Sequence, residues 1–273
     1  FIMKAENLAY PEALEFLANR VGMELPKDYR NKDEGMSRSE IVSMNREAAK
    51  YFYSCLMNPK TPQGLEYFTK KRGFSLPLIK RFGMGYAPEG WNGLRDHLKS
   101  KGYSYEQMLQ ANLIQKSREK ESYYDVFRNR VMVPILDVSG NVIAFGGRLL
   151  EDGKQPKYLN TSDTPAFRKS KNLFALNFAK DYCSDRMILC EGYMDVIALH
   201  GAGFSNAVAT LGTAMTPDHA RMMKRYTKSV VISYDADTAG QNAADKAFRL
   251  LGEVGLGARL LKVENGMDPD EFI

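Results

Sequence analysis

Three groups of carboxylates each stand just past a short apolar run. Glu191 follows Met187–Cys190, Asp235 and Asp237 follow Ser229–Tyr234, and Asp268 and Asp270 follow Ala258–Val263. If those runs are parallel strands of one sheet, the acids reach its carboxyl edge, where open α/β sheets bind their ligands. Asp195 lies four residues beyond Glu191, about one helical turn, so both face one side if a helix starts promptly. Clustered carboxylates raise one another's pKa unless a cation compensates them. Oxygen ligands of this hardness favour magnesium or manganese over zinc, and such ions keep positions for water and phosphates. Two of them about 4 Å apart activate an attacking hydroxyl and stabilise a leaving oxygen. The implied chemistry is phosphoryl transfer with divalent metal. Taken singly, Asp235 or Asp237 also fits a helix cap, and Asp268-Pro-Asp270 a turn.

The elements that must position these acids are legible in the same stretch. From Asp185 onward, strands expected at Met187–Cys190, Ala207–Thr210, Ser229–Tyr234 and Ala258–Val263 alternate with helices at Tyr193–His200, Pro217–Tyr226 and Ala239–Glu253. Such alternation predicts a parallel sheet with helices on its faces. Two turns on the same edge, Thr210-Leu-Gly212-Thr213 and Thr238-Ala-Gly240, present backbone N–H groups and hydroxyls to a phosphate.

Upstream, helices are expected over Pro11–Val21, from about Ser37 through Leu56, and over Pro62–Arg72, Leu76–Phe82, Asn92–Lys101 and Tyr105–Ala111. This helical front shows no chemistry of its own. Val131–Leu136 and Val142–Phe145 read as a hairpin around the turn Asp137–Asn141. Arg128 and Arg130, two apart on an extended segment, are expected on one face, opposite Val131 and Val133.

Charge is unevenly distributed. The chain carries 38 basic and 33 acidic side chains in 273 residues. Residues 181–273 hold 9 basic and 13 acidic ones, leaving 29 against 20 for the rest. A basic front suits phosphates and an acidic back suits divalent cations. The apolar fraction, 44%, supports a sizeable core. No apolar run reaches the roughly 20 residues of a membrane span. Cys55, Cys183 and Cys190 form no C-x-x-C pair, and His97, His200 and His219 are scattered, so neither a disulfide framework nor a zinc site is expected.

Cys190-Glu-Gly-Tyr-Met-Asp195 with Tyr234-Asp-Ala-Asp-Thr-Ala-Gly240 resembles the Toprim signature of bacterial primases, topoisomerases and some nucleases. Phe127-Arg-Asn-Arg-Val-Met-Val-Pro-Ile135, Ala144-Phe-Gly-Gly-Arg148, Pro156-Lys-Tyr-Leu-Asn160, Phe167-Arg-Lys-Ser-Lys171 and Gly83-Met-Gly-Tyr-Ala-Pro88 narrow the resemblance to the bacterial DNA primase family of the DnaG type, from about residue 37 to the end. The resemblance implies a Toprim-type parallel sheet flanked by helices, preceded by a mixed α+β basic subdomain. It implies Glu191 as central catalytic metal ligand, with Asp235 and Asp237 beside it and Asp195, Asp268 and Asp270 as further acidic positions. It also implies Arg148, Lys157 and Lys169 as phosphate or nucleic-acid contacts, with Arg128, Arg130 and Lys171 as companions. The resemblance further implies that Tyr158 and Asn160 line the same groove, Tyr158 fitting simple packing as well as base stacking, while Gly212 and Thr213 stay the phosphate-presenting turn of the acidic edge.

On this reading residues 1–36 are the linker from an N-terminal zinc module, 37–180 the basic subdomain and 181–273 the Toprim domain. The implied activity is RNA primer synthesis on single-stranded DNA from ribonucleoside triphosphates, with magnesium or manganese at the acidic cluster and zinc only in the missing module. An RNA–DNA product, replicative-helicase docking through an absent C-terminal region, a cytoplasmic location and a monomeric fragment are the accompanying expectations. A Toprim nuclease, a topoisomerase, a magnesium-dependent receiver domain and a non-catalytic regulator that binds nucleotides without turning them over are the rivals. Asp237 continues into Thr-Ala-Gly-Gln rather than further acids, which disfavours the topoisomerase.

Overall fold

The computed structural model describes residue 2 and residues 10–23, 35–117, 121–151, 155–235 and 237–261. Asp268, Asp270 and most of the polar stretch 28–35 lie outside the described residues.

Helix α1 spans Tyr10–Val21 and α2 spans Arg38–Leu56. Ser37 caps α2 through a reciprocal box, in which its hydroxyl takes the Glu40 N–H and the Glu40 carboxylate takes the Ser37 N–H. Such a box is worth about 1 kcal/mol. Ile41, Met44, Asn45, Ala48, Phe52 and Leu56 recur at helical spacing and form the buried stripe of α2. The expected helix over Pro62–Arg72 is shorter and changes character. Helix α3, Gln63–Glu66, widens into a π turn, Tyr67–Lys71, closed by the Arg72 N–H on the Tyr67 carbonyl at 3.1 Å. Then come α4 (Leu76–Arg81), β1 (Gly85–Ala87), α5 (Gly93–Ser100), α6 (Tyr105–Gln110), β2 (Ile114–Lys116) and β3 (Tyr123–Asp125).

Strands β4 (Arg130–Leu136), β5 (Val142–Leu149) and β6 (Tyr158–Asn160) join β1 in an antiparallel sheet of order β1-β4-β5-β6. Pro134 is tolerated within β4 because β1 pairs only with Arg130, Val131 and Met132, so no ladder on that side reaches the proline. Phe52 of α2 meets Phe145 of β5 edge-on at 5.3 Å and Phe127 at 6.4 Å, fixing the helix to the sheet.

After the short α7 (Leu176–Ala179) the strand–helix alternation appears as expected. It comprises β7 (Met187–Cys190), α8 (Tyr193–Gly201), β8 (Ala207–Ala209), α9 (Pro217–Met223), β9 (Ser229–Ser233), α10 (Thr238–Glu253) and β10 (Gly257–Leu260). All four strands are parallel, in the order β8-β7-β9-β10.

Alternation along the strands divides the core. Cys190, Ala207 and Ala209 belong to the cluster that includes Val196 and Ile197 of α8, Phe52 and Phe145. Met187, Leu189, Val208, Val230 and Ile232 join Met223, Ala247 and Leu251 on the other face. One face of the parallel sheet is thus fused through α8 to the antiparallel sheet by continuous apolar packing. His200 belongs to this junction, buried beside Phe82 and bonded to the Ala207 carbonyl at 3.0 Å.

A buried carboxylate ties β3 to α5. Asp125 is 3% exposed and accepts the Leu94 and Arg95 N–H groups, both at 2.9 Å, at the start of α5. Burial pushes its carboxyl up to about 6, against those hydrogen bonds and the Arg95 charge. A folded-state value above the unfolded one gives stability that is complete below the ordinary carboxylate range and lost as pH rises through about 6. Asp125→Ala, which strands two N–H groups, should cost about 2 kcal/mol in urea denaturation at neutral pH. The stability advantage of the parent over Asp125→Asn should shrink between about pH 4 and pH 7, and a constant difference would contradict the assignment.

Candidate active site

Strand order, which the sequence leaves open, decides where the acids meet. Strand β8 lies on one side of β7, and the chain then crosses back to place β9 on the other. The connections leaving β7 and β9 therefore diverge, opening a crevice at the carboxyl edge between them. Cys190 and Ser233 are the last paired residues, so Glu191 and Tyr234 leave the sheet side by side and Asp235 follows. Glu191 is exposed and Asp235 half-buried.

Asp237 is the N-cap of α10, taking the Gly240 N–H on Oδ1 at 2.7 Å, which leaves its second oxygen for another partner. Asp195 differs from expectation. Helix α8 begins at Tyr193, two residues past Glu191, so the two acids do not stack one turn apart; the Asp195 carboxylate instead folds back onto the Gly192 N–H at 3.1 Å. Burial, and then the charges of Asp195 and Asp235, push the Cys190 thiol well above its ordinary value. Burial and the Glu191 charge push the Tyr234 hydroxyl upward in the same way.

Among the described residues no three carboxylates, imidazoles or thiols form a closed metal cage. Glu191 and Asp235, just past adjacent strand ends, and Asp237 at a helix cap are oxygen donors, the ligand class that hard divalent ions take.

The basic wall is built on β5 and β6, where Arg148 and Tyr158 are direct cross-strand partners. Arg148 is buried; it donates to the Tyr158 hydroxyl at 3.2 Å and to the Tyr67 hydroxyl, and lies 5.1 Å and 5.7 Å from the centroids of the Tyr67 and Tyr158 rings. Tyr67 also accepts from Arg72 Nε at 2.9 Å. Two guanidinium groups thus converge on one phenol, and among the described residues Arg148 has no carboxylate partner. The phenol oxygens and ring faces around Arg148 hold its cation without neutralising it. Tyr67 and Arg72 come from the helical front to which the sequence assigns no chemistry. The run Lys70-Lys-Arg72 before Gly73 is the only signal there, and the π turn that brings Arg72 to Tyr67 has none.

Arg128 and Arg130 do not share a face. Asn129 between them is left-handed (φ 50°), which breaks the extended alternation. Arg130 turns inward, 1% exposed, and donates to the carbonyls of Gly147, Pro156 and Lys157 at 3.3, 2.8 and 3.2 Å. A buried guanidinium is stable only with such acceptors, and here they fix the backbone that carries Lys157, whose side chain is exposed. Arg128 stays near the surface, 4.3 Å from the Trp91 ring and 5.1 Å from that of Tyr124. Trp91, 61% exposed, is a stacking surface that sequence patterning does not flag.

Tyr193 joins the acidic edge to the basic wall. It stands two residues from Glu191, is fully buried, and packs edge-on to Tyr158 at 5.5 Å. Asn160 adds a second link, donating from Nδ2 to the Leu211 carbonyl at 3.2 Å. Gly212 is left-handed (φ 70°), and a Cβ there would fall 2.8 Å from Asn160 Nδ2, so the loop before exposed Thr213 needs glycine at that contact. Lys169 and Lys171 lie on a 3₁₀ turn, Lys169–Lys171, and are half-buried.

Residues 51–180 match the family model for the DNA primase catalytic core, N-terminal domain, and residues 188–273 match a Toprim-like one. The DNA primase of Clostridium acetobutylicum is 44% identical over 279 residues, covering 100% of this chain and 45% of its own length. That of Pseudomonas putida is 38% identical over 281 residues, covering 100% and 42%. The chain therefore spans less than half the length of these curated relatives. The crystal structure of the RNA polymerase domain of Mycobacterium tuberculosis primase DnaG aligns with TM-score 0.78 at 33% identity, over 86% of this chain and 79% of that one. A DnaG primase catalytic domain bound to ssDNA aligns with TM-score 0.77 at 35% identity, over 86% and 74%.

The acidic crevice depends on one close approach. A Cβ on Gly240 would fall 2.2 Å from the Asp235 carbonyl oxygen, so α10 must move away or the Asp235 segment must yield. Gly240→Ala should lower stability by about 2 kcal/mol and weaken binding of manganese measured by calorimetry. Unchanged manganese affinity in a destabilised variant would show that Asp235 does not contribute to the ion site.

Proposed function

The chain belongs to the bacterial DNA primase family, as a catalytic core of the DnaG type, and from that membership we propose that it joins ribonucleotides into RNA primers on single-stranded DNA. The observation that carries this reading is the meeting, through Tyr193, of the Glu191–Asp235 crevice with the wall of Arg72, Arg148 and Tyr158. The reaction is attack by the 3′-hydroxyl of one ribonucleotide on the α-phosphate of a second, with pyrophosphate leaving.

Glu191, Asp235 and Asp237 hold magnesium or manganese, with Asp268 and Asp270 as further acidic positions; such an ion supplies charge neutralisation at the reacting phosphate. Arg148, Arg72, Lys157 and Lys169 receive triphosphate or backbone phosphate, the two arginines through fixed planar forks and the lysines as mobile charges. Trp91 with Arg128 offers a ring face and a cation to a template base and its phosphate. Asp195 acts by bracing the Gly192 turn beside Glu191. Residues 37–180 form the basic subdomain and 181–273 the Toprim domain. No helix among the described residues is long and apolar enough to cross a membrane, and a cytoplasmic place fits replication of DNA there.

Glu191→Ala should reduce incorporation of labelled ribonucleotides on single-stranded DNA about a thousandfold or more. Its affinity for the DNA should stay within about twofold, because phosphate contacts to the basic wall dominate binding. Equal loss of both activities would refute the assignment of Glu191 to chemistry. Ion-dependent cutting of the DNA without nucleotides would replace polymerisation with a nuclease reading.

A further inference from the structure

The basic turn Lys169–Lys171 is not free to choose its position. Three contacts hold its backbone, and two of them come from the first turn of α9. Asp163 Oδ1 accepts the Lys169 N–H at 3.0 Å. Thr216, the N-cap of α9, donates its hydroxyl to the Ser170 carbonyl at 2.8 Å. His219, fully buried, bonds through Nε2 to the Lys169 carbonyl at 2.9 Å.

The proton on His219 can be placed from its partners. Thr216 and His219 form a reciprocal cap, in which the Thr216 hydroxyl oxygen takes the His219 N–H and His219 Nδ1 takes the Thr216 N–H, each at 3.2 Å. Accepting at Nδ1 requires that nitrogen to be bare, so the proton of the neutral ring sits on Nε2 and is donated to Lys169. Each residue thus uses one function to cap its own helix and the other to grip the turn. A capping box closed by glutamate, an acceptor only, has no second donor left for a neighbouring segment.

We propose that His219 is a positioning residue for phosphate recognition, holding Lys169 in place through the Lys169 carbonyl. The inference rests on the reading of Lys169 as a phosphate contact and deepens it. Phosphates of a nucleoside triphosphate and of the template strand share the chemistry Lys169 recognises, so the test carries an arm for each. Because His219 belongs to α9 of the parallel-sheet half while the turn follows the antiparallel sheet, the grip also fixes the basic turn relative to the acidic edge.

The experiment is a double-mutant cycle with Lys169→Ala and His219→Phe. It reads KM and kcat for ATP in primer synthesis and affinity for a short oligothymidylate. Lys169→Ala should weaken one of the two phosphate ligands about tenfold and flatten the salt dependence if the template is the one affected. His219→Phe should weaken the same ligand by a similar factor, with kcat nearly unchanged. The double variant should be no worse than Lys169→Ala, since residues acting through one contact are non-additive. His219→Gln, which keeps a donor toward the Lys169 carbonyl, should recover most of the loss. Should His219→Phe fail to fold, Thr216→Val removes the parallel grip on Ser170 and takes its place in the cycle. Losses that multiply in the double variant, or an unaffected His219→Phe beside a weakened Lys169→Ala, overturn the inference alone. A Lys169→Ala protein that binds both phosphate ligands normally removes the underlying reading of the basic turn, and the inference falls with it.

Discussion

The side-by-side pairing of β7 and β9 carries the rest of the structure. These strands are separated in sequence by α8, β8 and α9, yet Cys190 and Ser233 end as direct neighbours. That adjacency exists because β8 was laid on the far side of β7, and the same reversal parts the loops that leave the two strands. Carboxylates gathered in a protein interior would repel strongly. They are tolerable here because they sit at an open edge, where water or a hard cation can reach them. Helix caps organise the surroundings, with Asp237 on Gly240 and Asp195 on Gly192 each trading part of a carboxylate for a fixed loop.

The two arginines of the hairpin show how differently one side-chain type is used a few ångströms apart. Arg130 faces backbone carbonyls, and its charge is absorbed in holding residues 155–157 against the sheet. Arg148 faces phenols and aromatic rings, which support a cation but cannot neutralise it. Both are buried, and only their partners differ, backbone carbonyls for one and phenols for the other. The same contrast holds for the histidines, since His200 fills an aromatic pocket at the junction while His219 reaches out of its helix to the basic turn.

Rigidity between the two sheets follows from the core. Residues of β7, β8 and α8 belong to the same apolar cluster as the aromatic residues of α2 and β5, so the acidic edge and the basic wall cannot separate without exposing that cluster. Polar links at Asn160–Leu211 and His219–Lys169 then set the alignment at the rim. Apolar packing is insensitive to small rotations, whereas a hydrogen bond under about 3.2 Å is not, so orientation is decided by the polar rim.

The sequence by itself determined the alternation of strands and helices after Asp185, the positions of Glu191, Asp235 and Asp237 at strand ends, and the basic front, because periodicity, turn residues and charge are local properties. Element ends moved by only a few residues, as with Pro217–Met223 inside the expected Pro217–Tyr226. The motifs carried the family. Tertiary structure alone decided that β7 and β9 are neighbours, since hydrophobic runs do not encode strand order. It alone turned Arg130 inward, because the left-handed Asn129 between two arginines leaves no periodic trace. It alone brought Tyr67 and Arg72 to Arg148 and Trp91 to Arg128, since a π turn and a long-range stack depend on what the rest of the fold packs against them. Local patterns fix which residues can do chemistry, and the contacts between distant segments fix which of them meet.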